Sequence, residues 1–429
     1  MSDRRSFFQK AGTIAAAAAV LPLLDILQAE KVEAAVKKIE HLSPLDAAQD
    51  EDFWFTVRQS YTVSSNIINL NNGGVSPQPI VTQDALDRYV RLANQGPAYY
   101  MWQTIGMERE NVRKQLAELG GVSAEEVAIN RNSSEALETV IFGMNLKEGD
   151  EVLTTNQDYP NMMSALHQRE LRDKIKVVKI SVPVPCEDPS IIVERFRNAI
   201  TPNTKVILMC HVINLSGQIM PVRAVADMAH EKNIEVICDG AHSFAHLDFK
   251  IPDLHCDYFG TSLHKWLCAP FGTGMLWMKK EKIKNIWPLL AHPEPQSEDI
   301  RKFENLGTRS FPIEASIGVS INFHRGIGIK RKEERLRYLK NYWAEKVSKF
   351  PKVSLNTSLK RDYSCAIGNF SIDGLEPGQI IDKLFADYKI YTTPIVHDEF
   401  KGVRVTPHVY TSLSDLDYFV SAVERIAKG

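Results

Sequence analysis

Lys265 stands between His264 and Trp266 in "TSLHKW" (261–266), downstream of an acid, Asp239, that closes the apolar run "IEVICD" (234–239). Most lysines are solvated charges with no specific task, so only partners give this one meaning. A carboxylate at the end of a buried strand is costly unless something cationic faces it. In open α/β sheets ligands gather at the carboxyl ends of strands. An amine that captures an aldehyde and a carboxylate that keeps a pyridine nitrogen protonated together suit pyridoxal phosphate. The phosphate needs a seat, and "NRNSSEAL" (130–137) offers Ser133 and Ser134 where a helix begins. Free backbone N–H groups and the helix dipole favour an anion there. Serine at a helix start is also an ordinary cap, so only the combination carries weight.

These residues need a scaffold, and from about 120 to 280 short apolar runs alternate with amphipathic segments. The strand candidates are 126–129, 151–155, 175–180, 205–210, 234–239, 257–260 and 274–278. Helices are expected at 133–146 and 221–233, the latter opening on Pro221. Such alternation predicts an α/β fold with a mostly parallel seven-stranded sheet covered on both faces. No helix-length segment separates the last two strands, so one member is expected to run antiparallel. After about 300 a charged helix (330–350) precedes strand, helix and strand patterns at 363–374, 378–390 and 402–411, a smaller α+β domain. Cys365 falls within the first of these strand-like runs.

The 429 residues exceed what one core usually organises. With 51 basic against 53 acidic side chains, the chain carries no polyanion-binding signal, which excludes nucleic acid as an expected partner. Arg4 and Arg5 precede an alanine-rich stretch, the pattern of a twin-arginine export signal over 1–34 and hence of a bacterial periplasmic location. Its apolar run is too short to span a bilayer. The six cysteines show no spacing rule and read as free thiols. The expected division is 1–34 signal, 35–76 N-terminal segment, 77–300 large domain and 301–429 small domain.

The order of "RNSSEA", "DYPN", "HVINLSGQIMPV", "CDGAHSFAHLDF", "YFGTSLHKW", "ENLGT" and "VRVTPHVY" resembles the class V aminotransferases, fold-type I pyridoxal phosphate enzymes, and most of all their isopenicillin N epimerase-like branch. The resemblance covers about residues 65–425. It implies that Lys265 is the catalytic lysine that captures the cofactor aldehyde and that Asp239 partners the ring nitrogen. It implies that His242 lies beside the ring hydroxyl edge and that Ser133, Ser134, Ser262 and His264 bind phosphate. Thr308 matches a phosphate contact lent by the neighbouring subunit, so a homodimer is implied. Tyr159 matches the ring that stacks on the cofactor, and Asn214 a residue near the ring oxygen. Arg404 matches the clamp on the substrate carboxylate, a task suited to a planar bidentate donor. Asn72 and Gly73, in "NLNNGGVSP" (69–77), match the N-terminal wall of the substrate pocket.

His242, His246, His255, Asp248 and Cys256 lack the regular spacing of a zinc site. "GTGM" (272–275) is too short and wrongly placed for a dinucleotide fingerprint. Residues 391–404 hold no cysteine, which argues against a cysteine desulfurase. What remains is Cα chemistry, by transamination or epimerisation. A β-eliminating lyase acting on a sulfur-containing amino acid, or a catalytically silent binding protein of the same fold, are the alternatives. "NQGPAYYMWQT" (94–104) reads as an aromatic loop near the side-chain pocket.

Overall fold

The structure, a computed structural model, describes residues 23–429. The Arg4–Arg5 pair and the alanine run lie outside the described residues; the helix Leu23–Lys38 runs through Ala34 and Ala35.

In chain order the strands are β1 (Ile68–Asn69), β2 (Val127–Asn130), β3 (Glu151–Thr155), β4 (Lys176–Ile180), β5 (Thr204–Cys210), β6 (Glu235–Asp239), β7 (Tyr258–Ser262), β8 (Gly274–Met278), β9 (Val353–Leu355), β10 (Gly368–Ile372), β11 (Ile390–Tyr391), β12 (Thr393–Val396) and β13 (Lys401–Val405). Seven of them form one sheet in the order β2-β8-β7-β6-β5-β3-β4. β3 to β7 run parallel, and β8 opposes both β7 and β2. The segment between Ser262 and Gly274 is too short for the crossover helix that a parallel neighbour requires, so the chain returns antiparallel. The central strands β6 and β7 are buried nearly end to end, because helices cover both faces and leave no polar side to alternate with.

Four strands, β12-β13-β10-β9, form a second, antiparallel sheet. The helices Ile329–Val347, Pro377–Tyr388 and Leu413–Lys428 pack on it around Trp343, Phe370 and Phe419. The N-terminal segment joins both units. Its helix Glu51–Arg58 buries Phe53, Trp54 and Val57 in the large core, whereas β1 pairs with β11 and Leu70 enters the small core.

Several boundaries differ from those read off the pattern. The helix Phe311–Ile327 follows residue 300 but buries Ile317, Ile321 and Ile327 in the large core, so the smaller unit's own core begins with the helix Ile329–Val347. Residues 94–104 are largely not a loop: after a break at Gly96, helical turns form at Pro97–Tyr99 and Tyr100–Thr104, with Tyr99 and Trp102 exposed. Cys365 is fully buried but precedes β10, which starts only at Gly368. A run of apolar residues marks burial there, and burial alone does not make a strand. All six cysteines are free thiols.

Candidate active site

Asp239 is the last residue of β6, and Lys265 lies in the turn just past β7, its neighbour in the sheet. Topology thus brings the two together at the carboxyl ends of parallel strands. The Asp239 carboxylate accepts a hydrogen bond from the Ala241 N–H at 2.9 Å. Burial pushes its carboxyl up to about 6, opposed by the Ala241 N–H and by the charge of Lys265. Lys265 is half-buried as a residue, yet its amine is enclosed enough that burial pushes it down to about 8. Asp239 resists that shift and the Arg404 cation assists it. An amine so lowered is neutral far more often than an exposed lysine, and a neutral amine is the form that attacks carbonyls.

Lys265 Nζ lies 3.2 Å from His242 Nε2 and 5.9 Å from the centroid of the Tyr159 ring. His242 is buried, and burial together with the Lys265 charge holds its imidazole neutral. Tyr159, half-buried, opens the helix Pro160–Asp173 just beyond β3, and so reaches the same end of the sheet. Asp158 beside it is fully engaged, accepting from the Thr155 N–H, both threonine hydroxyls and the Cys210 N–H.

The seat at residues 130–137 differs in one detail from the reading of the sequence. The cap of the helix Ser133–Gly143 is Asn132, whose side chain accepts from the Glu135 N–H at 2.8 Å. Ser133 and Ser134 are therefore released from capping. The Ser133 hydroxyl lies 3.0 Å from that of Ser262, which also accepts from the Ser133 N–H at 3.0 Å. This ties the helix start to the end of β7. His264 directs Nδ1 to the Thr273 carbonyl at 3.0 Å, and burial pushes it down to about 4, so it offers a neutral ring. Thr308 is exposed on the segment between Glu304 and the helix Phe311–Ile327, and within the described residues no hydrogen bond joins it to these serines.

Arg404, on β13, is 7% exposed and reaches across from the smaller unit. Its guanidinium donates to the Asn214 carbonyl at 3.1 Å and to Asn71 Oδ1 at 2.8 Å. Burial pushes it down to about 10, still charged at neutral pH, and among the described residues its hydrogen-bond partners are neutral. A buried guanidinium held by neutral groups alone is a receptor for an anion.

Gly73 lies beside His242: its N–H donates to Thr406 Oγ1 at 2.9 Å, and a Cβ there would lie 3.5 Å from the His242 ring. Asn72 is a correction. Its amide is fully buried and spent on the Asn69 and Thr406 carbonyls and the Tyr410 hydroxyl, so its side chain braces the wall instead of lining the pocket. The preceding Asn71 turns toward Arg404 instead, and three asparagines within four residues gave the sequence no means of choosing between them. Asp158, although part of the "DYPN" motif, carries no role in the reading of the sequence.

Asn214 Oδ1, His242 Nδ1 and Arg404 Nε are buried without partners. Orphaned buried polar atoms require a ligand or ordered water. A carboxylate, an amine, serine hydroxyls gathered at a helix start and unpaired donors and acceptors between them fit pyridoxal phosphate as a group.

Residues 68–393 match the family model described as aminotransferase class-V. Isopenicillin N epimerase of Amycolatopsis lactamdurans is 24% identical over 394 residues, which cover 87% of this chain and 99% of the epimerase. A probable cysteine desulfurase of Halalkalibacterium halodurans is 26% identical over 400 residues, 86% of this chain and 96% of the relative. Among solved structures, a C-DES mutant with glycine covalently linked to its PLP cofactor superposes with a TM-score of 0.78 at 19% identity, covering 86% of this chain and 98% of that one. The chain therefore belongs to the class-V aminotransferase family.

Proposed function

We propose that this pyridoxal phosphate enzyme moves a proton at the Cα of an amino acid or a similar small amine, as an aminotransferase or epimerase, with Lys265 as its catalytic base. The observation that carries the reading is the convergence of Lys265, Asp239, His242 and Arg404, from three strand ends of two units, on one buried space. When bound, the cofactor supplies an aldehyde for an amine to capture and a ring that withdraws electrons from Cα. Asp239 holds the proton on the ring nitrogen. Ser133, Ser134, Ser262 and His264 hold the phosphate, and Tyr159 covers the ring. Arg404 holds the substrate carboxylate, already oriented by Asn71 and the Asn214 carbonyl. Lys265 Nζ, unprotonated above about 8, takes the Cα proton, and His242 beside it keeps the amine from wandering.

The relatives include cysteine desulfurases, so that reaction stays a second reading. Against it, residues 391–404 hold no cysteine, and the Cys365 thiol is buried and pushed up to about 12, far from the thiolate such a reaction uses. A lyase that releases product from a sulfur-containing amino acid is a further alternative. Incubation with an amino-acid panel in heavy water separates these. Deuterium at Cα without keto acid marks an epimerase, keto acid with the aminated cofactor a transaminase, pyruvate without acceptor a lyase, and persulfide a desulfurase. No exchange with any amino acid, by a cofactor-loaded sample, overturns the proposal.

A homodimer that lends Thr308 across its interface, and export directed by Arg4 and Arg5, complete the proposal. Cell fractionation of a chain with both arginines replaced by lysine tests the second, retention in the cytoplasm being the expected outcome.

A further inference from the structure

Behind the turn that carries Lys265 lies a second group of buried polar side chains that the proposed chemistry does not use. The Trp266 indole stacks with two imidazoles, His246, whose ring centroid is 4.0 Å away and nearly parallel, and His408 at 5.7 Å. His246 is itself fixed at both nitrogens. Nδ1 bonds the His242 carbonyl at 2.6 Å, and Nε2 accepts from the Ala366 N–H at 3.0 Å. Because His242 Nε2 meets Lys265 Nζ, the contacts close a circuit: lysine, its covalent neighbour Trp266, His246, His242 and back to the lysine.

A cationic side chain also reaches this circuit from outside. Lys332, on the helix Ile329–Val347, is 3% exposed and donates to the Trp266 carbonyl. It also lies 3.5 Å from His324 Nδ1. Among the described residues no carboxylate pairs with it, and its partners are the neutral Trp266 carbonyl and the His324 ring. A buried lysine without a counter-ion is costly. The position would hold a methionine or leucine more cheaply if packing were all that mattered.

We propose that Lys332 is a positioning residue for Lys265. By holding the Trp266 carbonyl it fixes the turn at residues 261–269, and it ties that turn to the helix that carries the smaller unit's core. The proposal rests on the reading of Lys265 as the lysine that captures the cofactor. Its first observable does not depend on that reading.

The test is amide hydrogen exchange by mass spectrometry on the full chain, with and without pyridoxal phosphate, for Lys332→Met and Lys332→Gln. Lys332→Met removes the donor at similar length, and exchange across residues 261–269 is expected to rise at least about 10-fold, with β5 and the helix Pro377–Tyr388 unchanged. Lys332→Gln keeps a donor and is expected to hold that rise to about threefold. The second readout is the pH midpoint of the visible absorbance gained when a lysine captures the cofactor, expected to move by about half a unit or more in Lys332→Met and less in Lys332→Gln. Should Lys332→Met not fold, Lys332→Gln against the parent carries both readouts. Unaltered exchange at 261–269, exchange that rises equally throughout the chain, or an unmoved midpoint overturns the proposal. If the parent chain gains no visible absorbance, the reading of Lys265 has failed, while exchange still decides whether Lys332 holds the turn.

Discussion

At the scale of single residues, burial controls the charge of both partners in the site. The Asp239 carboxyl stands at about 6 in the folded chain, against an ordinary value near 4. A raised carboxyl contributes stability that is present at acid pH and lost as pH rises through about 6. Asp239→Asn is therefore expected to stabilise the cofactor-free chain between about pH 7 and 8, with the gain disappearing below about pH 4 in urea melts. The same variant should retain pyridoxal phosphate poorly, since the ring nitrogen loses its acid partner. For Lys265, lowered to about 8, the rate at which the cofactor-free chain captures pyridoxal phosphate is expected to climb with pH and level off above that value. A profile still climbing at pH 10 would mean the amine is not depressed. Arg404→Ala should raise KM for carboxylate-bearing substrates by about 10- to 1000-fold, as befits removal of the charge that clamps a desolvated carboxylate.

At the scale of elements, the site depends on close approaches between neighbours in the sheet. Gly240 follows β6 where a Cβ would collide with the ring of Phe259 on β7. Gly240→Ala forces the two strand ends apart just where Asp239 and the Lys265 turn must meet. A loss of about 1–3 kcal/mol in urea unfolding is expected, with weakened cofactor retention. A second brace is the pair of Glu304 with Arg113, made by two hydrogen bonds of 2.6 and 3.0 Å. Glu304 also accepts from the Ile129 N–H on β2 at 2.6 Å. It thereby anchors the segment leading to Thr308 on the edge of the large sheet. Glu304→Ala leaves the buried Arg113 guanidinium to Glu110 and the Val127 carbonyl but strips the Ile129 N–H of its acceptor, and about 1–3 kcal/mol of stability should be lost, read as a lower urea midpoint.

At the scale of the whole molecule, the two units meet at the site, with Arg404 supplied by one and Lys265 by the other. Thr308 stands exposed, apart from the serines it was expected to join. Under the dimer proposal, light scattering gives twice the mass of 48.4 kDa, and Thr308→Ala lowers cofactor affinity without changing that mass. A monomer that retains the cofactor would remove Thr308 from the phosphate seat.

The sequence by itself determined the parallel sheet, because alternating buried runs and amphipathic helices have few other ways to bury their apolar faces. It also singled out the candidate site on which the proposed chemistry rests. A lysine and an acid just after buried strands, with serines at a helix start, are legible because each sits at a strand end where ligands collect. Only the tertiary structure decided which asparagine of "NLNN" faces Arg404, that Asn132 and not a serine caps the helix Ser133–Gly143, and that the helix Phe311–Ile327 belongs to the large core. These depend on which neighbour arrives at a given face, and contacts between residues hundreds of positions apart leave no period in the chain. The same holds for Lys332, one charge among many in a basic helix until folding places it against the carbonyl next to Lys265.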